Sequence, residues 1–121
     1  MTETGNSKIY DLENRTLAFA KKVRGFVKKL PKTMVNIEDG RQLVRASGSV
    51  GSNYIEANES LGKKDFIMRI KICRKEAKES RYWLKLVDTD LKADLEKERS
   101  ELEKEATELM NIFGSIPRKN E

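Results

Sequence analysis

Residues 63–87 read KKDFIMRIKICRKEAKESRYWLKLV, and this stretch decides the fold. Phe66, Ile70, Cys73, Ala77, Ser80, Leu84 and Val87 recur at alternating steps of four and three. That spacing returns side chains to one face of an α-helix and is the seam along which helices pack side by side. A second apolar strip, Met68, Ile72, Trp83 and Leu86, runs beside the first. One partner face would not cover both, so this helix is expected to sit centrally in a bundle or to contribute to a subunit interface.

The same periodicity extends outward in both directions. Residues 10–30, from Tyr10 to Leu30, place Leu12, Phe19, Val23, Phe26, Val27 and Leu30 on one face, and Pro31 stops the helix. A second helix is predicted over residues 37–61, with Asn36 as its cap and Asp39 in its first turn. It carries Leu43, Val44, Val50, Tyr54, Ile55 and Leu61. Ala46-Ser47-Gly48-Ser49 and Gly51-Ser52 weaken it, each glycine costing about 1 kcal/mol against alanine. Either a neighbouring helix comes close over these small side chains or the stretch is a loop. The third helix is predicted over 63–88 and a fourth over 91–113, with Leu95, Leu102, Ala106, Leu109 and Phe113 inward and Gly114 and Pro117 as a stop. Short connections and the lack of any strand-like alternation predict an all-α, antiparallel up-and-down four-helix bundle, with residues 1–121 as a single domain.

A chain of 121 residues is long enough for one core and short for two. No apolar run reaches the roughly 18 to 20 residues that cross a bilayer, and Met1 to Ser7 lacks the apolar centre of a signal peptide, so a cytoplasmic protein is expected. The lone Cys73 has no intramolecular disulfide partner and reads as a small core residue. With no histidine there is no Cys/His metal site, no Glu-x-x-His di-iron pair, and no side chain that ordinarily moves protons near neutral pH. Glu56, Glu76 and Glu79 are carboxylates that could act as acid and base or hold a cation. No phosphate-cradling glycine loop and no nucleophile paired with a base accompanies them, so neither a cofactor nor catalysis is expected.

Charge is unevenly distributed. Residues 1–87 hold 19 Lys/Arg against 10 Asp/Glu, a net of +9, whereas residues 88–121 hold 6 against 10, a net of −4. On the third helix Lys71, Arg74, Lys75, Lys78, Arg81 and Lys85 fall within about 120° of arc at ~100° per residue, and Asp65, Glu76 and Glu79 point elsewhere. A face kept in water for solubility mixes its signs, so a single-sign stripe points to a polyanion, RNA or DNA, whose backbone rather than its bases is contacted. The competing reading is an assembly device in which the acidic fourth helix, of this chain or the next, lies along the stripe. Lys21, Arg24 and Lys28 form a weaker basic strip on the first helix, and Tyr82, on the same face as the stripe, could stack on a base or simply cover the bundle.

Along the second helix Arg45, Ser49, Asn53 and Glu56 form a polar line with Gln42 at its edge. Arg45 is expected to reach Glu76 or Glu79 of the third helix, with Ser49 and Asn53 satisfying the remaining hydrogen bonds and setting register. The run Arg45-Ala46-Ser47-Gly48-Ser49-Val50-Gly51-Ser52-Asn53 into Glu56-Ala57, then Lys64-Asp65-Phe66-Ile67 and Lys75-Glu76-Ala77 through Glu79 to Tyr82-Trp83-Leu84, resembles the bacterial four-helix-bundle proteins first noted in intervening sequences of 23S ribosomal RNA genes. The resemblance spans roughly Tyr10 to Phe113 and is most specific from Gln42 to Leu86. It implies an antiparallel bundle that assembles as a ring-shaped homopentamer. A relative that is a basic accessory subunit of retroelement reverse transcriptases implies binding to nucleic acid and to a protein encoded nearby, although a shared fold does not by itself transfer a function.

Overall fold

A computed structural model describes residues 11–120, with side chains through Pro117. Four helices follow one another: α1, Leu12–Lys29; α2, Met34–Asn58; α3, Lys63–Leu86; and α4, Ala93–Asn120. There is no strand among the described residues. Each helix packs on its neighbours in the chain, and α1 closes the bundle against α4 along its thinnest seam. The seam residues of α3 are the centre of the core: Ile70, Cys73, Ala77, Ser80 and Leu84 are all fully buried. Phe19, Val23 and Phe26 of α1, Leu43 and Val50 of α2, and Leu109 and Phe113 of α4 meet them.

The helix ends differ from the sequence reading for local reasons. The predicted start at Tyr10 lies outside the described residues. Helix α1 ends at Lys29 because Pro31 drives Leu30 into an extended conformation, ψ 150°. Helix α2 starts earlier than predicted because Thr33, not Asn36, is its cap: the Thr33 side chain accepts from the Asn36 amide at 3.2 Å. Asn36 is buried instead, and its Nδ2 donates to Pro31 O at 3.0 Å and to Asp88 O at 2.8 Å, while its Oδ1 accepts from Asp88 N at 2.9 Å. One side chain thereby ties the α1–α2 connection to the α3–α4 connection.

Helix α3 stops at Leu86 and α4 begins only at Ala93, since Asp90 and Leu91 both take the left-handed conformation, φ 59° and 58°. For leucine this costs about 1–2 kcal/mol, and neighbouring contacts hold the turn. The Asp90 amide donates to Asp88 Oδ1 at 2.8 Å, and Arg99 Nη1 donates to the Val87 carbonyl at 2.6 Å, where α3 carries its negative dipole end. Thr89 and Arg99 both bond Glu96, which anchors the first turn of α4.

Gly114 and Pro117 do not end α4, which continues to Asn120. Gly114 is in the helix because its missing side chain makes room for Arg74 of α3: a Cβ there would lie 3.1 Å from Arg74 Nε. Ile112 and Ile116 pack against the core and hold the final turns in register despite the proline. The small residues of α2 mark close approach rather than a loop. A Cβ on Gly51 would come within 2.8 Å of Thr16 Oγ1, and one on Gly48 within 3.3 Å of the Arg24 guanidinium.

Candidate nucleic-acid interface

The basic stripe on α3 divides lengthwise. Its inner edge turns toward acidic α4: Lys85 Nζ pairs with Glu103 at 3.0 Å, Arg81 donates to Thr107 Oγ1 at 3.1 Å, and Arg74 lies against Gly114. Its outer edge, Lys71, Lys75 and Lys78, stands exposed and takes part in no ion pair among the described residues. Helix α4 of the same chain therefore contacts one side of the ridge, with Glu103 the single carboxylate paired to it among the described residues, and Arg74 and Lys85 stay exposed. Helix α4 also answers α1 on its other side, through Arg15 to Glu105 at 2.7 Å and Glu108 at 2.6 Å and through Lys29 to Glu98 at 2.7 Å. These bonds raise the affinity of the Arg15 guanidinium for its proton, Glu105 contributing most against an opposing desolvation. An acidic helix between two basic ones holds the α1–α4 seam with charge where apolar contact is thinnest.

Beside the outer lysines lies a shallow hollow of about 540 Å³ lined by Lys75, Lys78, Glu79, Tyr82 and Trp83. Tyr82 is 57% exposed, whereas Trp83 is partly buried against the core, and their rings meet edge to face with centroids 5.1 Å apart. Met68 and Leu86, in the second apolar strip of this helix, are about half exposed.

Residues 9–115 match the family model of the 23S rRNA-intervening sequence protein. The chain belongs to that family. A crystal structure of a protein with unknown function from the S23 ribosomal protein family of Bacteroides thetaiotaomicron is similar to it, with 26% identity, a TM-score of 0.76, and coverage of 87% of this chain and 96% of that one. A comparison with curated proteins gives no match. Nothing in the family description or in this neighbour points to catalysis. Among the described residues no cluster of carboxylates or thiols is suited to a metal, and no helix is long and apolar enough to cross a membrane.

In this member of the 23S rRNA-intervening sequence family the polar line on α2 is built differently from the sequence expectation. The ion pair from Arg45 to Glu76 or Glu79 is not formed. Arg45 lies on an exposed edge of α2, where its guanidinium keeps its water, and Glu56 is exposed as well. Asn53 instead accepts from Arg69 Nη1 at 2.9 Å and donates to the Ser49 carbonyl at 2.9 Å, so Arg69 is the residue that ties α2 to α3. The sequence carries a signal for it: Arg69 is the one cation of α3 far from the basic stripe, four residues before the buried Cys73.

Glu76 is left with Oε1 buried and unpartnered. Burial first, and the nearby charge of Glu79 second, push its carboxyl above the usual range, while Lys75 and Arg45 partly offset this from a distance. Glu79 has no hydrogen-bond partner among the described residues either and lines the hollow beside Tyr82. Burial also pushes the Cys73 thiol up to about 12, which makes it an inert core group.

Proposed function

We propose that this protein is a non-catalytic helical module that associates with copies of itself and binds the backbone of RNA or DNA through the outer face of α3. The observation that carries the reading is the row Lys71, Lys75 and Lys78, exposed on one face and in no ion pair among the described residues. Arg74, Arg81 and Lys85 flank the row and add to its field, although α4 holds them. Glu76 lies round the helix from the row, whereas Glu79 borders it in the hollow beside Lys75 and Lys78. Copies presenting the same row would turn weak contacts into useful affinity, provided the rows face one side. The half-exposed Met68 and Leu86 beside the ridge supply apolar surface for such association.

Anisotropy titrations with a mixed-sequence oligonucleotide test this. Three phosphate contacts give a slope of about −2 to −3 in log affinity against log salt, hence a loss of roughly 20- to 40-fold between about 50 and 200 mM. Lys75→Glu with Lys78→Glu should flatten that slope by about two contacts. Absence of binding at low salt, or a slope unchanged by the double reversal, removes the reading.

One observation favours a second reading, an assembly scaffold in which basic and acidic helices pair between copies or with a protein partner. Helix α4 already answers Lys85 with Glu103 inside the chain, and its Glu101 remains exposed for another basic surface. Under that reading salt dissociates the assembly, and the oligonucleotide does not bind.

A further inference from the structure

We infer that the hollow between Lys75, Lys78, Glu79, Tyr82 and Trp83 receives one unpaired guanine base, so that the α3 ridge selects single-stranded over duplex nucleic acid. The inference rests on the proposed backbone-binding reading and adds to it the kind of strand and the base.

Backbone contacts alone do not distinguish a duplex from a single strand, but an aromatic surface beside the cations does, since only an unpaired base offers its face. The two walls have complementary mechanical roles. Trp83 is set against the core and cannot move far, while Tyr82 stands 57% exposed on the same turn. Their edge-to-face contact, with an interplanar angle of 74°, means that the two rings are not stacked on each other. At about 540 Å³ the hollow lies within the range of small-molecule sites, roughly 300–1,000 Å³. Lys75 and Lys78 lie on its rim, where they meet the phosphates on either side of an inserted base.

Glu79 identifies the base. An ionised carboxylate only accepts hydrogen bonds. A carboxylate set among lysines that bind a polyanion weakens backbone binding unless it meets donors. Guanine places two adjacent donors, N1–H and the exocyclic N2–H, on its pairing edge, and they match the two carboxylate oxygens. Cytosine and adenine place an acceptor beside their amino group, and uracil has a single N–H between two acceptors. An unpaired guanine therefore satisfies Glu79, the aromatic wall and the lysines together.

Trp83 is the chain's only tryptophan, so its fluorescence reports on this site directly. The full-length protein is titrated at low salt with a short oligouridine, the same oligouridine carrying one central guanosine, and a duplex of equal phosphate number. The guanosine strand is expected to bind about 10-fold more tightly than oligouridine and to quench Trp83, with the duplex weakest. Tyr82→Ala should lower affinity for the guanosine strand by roughly 5- to 150-fold, the range of one base–aromatic stack. Glu79→Gln should abolish the preference for guanosine and leave oligouridine binding no weaker than before. Equal binding of duplex and single strand with unquenched Trp83 overturns the base site and leaves backbone binding intact. A change in sedimentation coefficient for Tyr82→Ala makes this face a contact between copies and overturns it as well. If none of the three binds, the backbone reading fails and this inference with it.

Discussion

Replacing Gly51 with alanine puts a methyl group where α1 and α2 touch, and the structure sets the size of the effect. The new Cβ would lie 2.8 Å from Thr16 Oγ1 and 3.2 Å from Thr16 Cβ. The hydroxyl cannot simply swing away, because it donates to the Leu12 carbonyl at 2.7 Å inside α1. Forcing a methyl into such a contact costs about 1–3 kcal/mol, against which alanine's better helix propensity returns about 1 kcal/mol. Gly25→Ala supplies the control: it is also inside a helix, nothing lies within 4 Å of its would-be Cβ, and it should gain about 1 kcal/mol. Propensity cancels between the two variants, so their difference isolates the steric cost at about 1–3 kcal/mol. Urea denaturation followed by circular dichroism, at one protein concentration because self-association adds to stability, measures that difference. Thr16→Ala should recover part of the loss in Gly51→Ala and so show coupling in a double-mutant cycle. Equal stabilisation by the two glycine substitutions, or strict additivity with Thr16→Ala, refutes the close approach of α1 to α2.

Asn36→Ala should lower stability by about 2–3 kcal/mol, because it strands the Asp88 amide and carbonyl; Asn36→Asp, which keeps the acceptor but loses both donors, should not rescue it. Chemical denaturation of both variants checks this, and an unperturbed aspartate variant would remove the tie between the two connections. Glu76→Gln should raise the melting temperature at neutral pH by a few degrees at most. Its carboxyl is held above the usual range, so the folded state is penalised while the group is ionised and relieved as pH falls through that raised value; the advantage of glutamine should shrink on acidification. A constant difference across pH counts against the assignment. Cys73, with its thiol pushed up to about 12 and its side chain buried, should resist iodoacetamide in the native protein and react on unfolding in urea, as followed by mass spectrometry.

Much of the bundle was legible because periodicity is a local property. The step pattern from Phe66 to Val87 defined the innermost helix, and Phe66 alone of its seven residues is only partly buried. Helix ends were less legible where a tertiary contact outweighed a local signal. Asn36 has the chemistry of a cap, but burial gives its amide a stronger use across the α1–α2 and α3–α4 connections. Gly114 and Pro117 have the chemistry of a stop, yet Arg74 fills the space beside the glycine and Ile116 keeps the helix on the core.

By itself the sequence determined which residues share a face and what charge each face carries, since both follow from about 3.6 residues per turn and the residue types. It could not determine which faces meet. Whether a lysine of α3 faces water or Glu103, and whether Asn53 bonds Arg69 while Arg45 stays in solvent, depends on how the helices are rotated and spaced against one another. Rotation and spacing come from packing the whole core, to which small residues such as Gly51 and distant pairs such as Arg15 with Glu105 contribute together. Helical periodicity placed Lys71, Lys75 and Lys78 on one stripe with Arg74, Arg81 and Lys85; only the position of α4 separated the three that remain open from the three it holds.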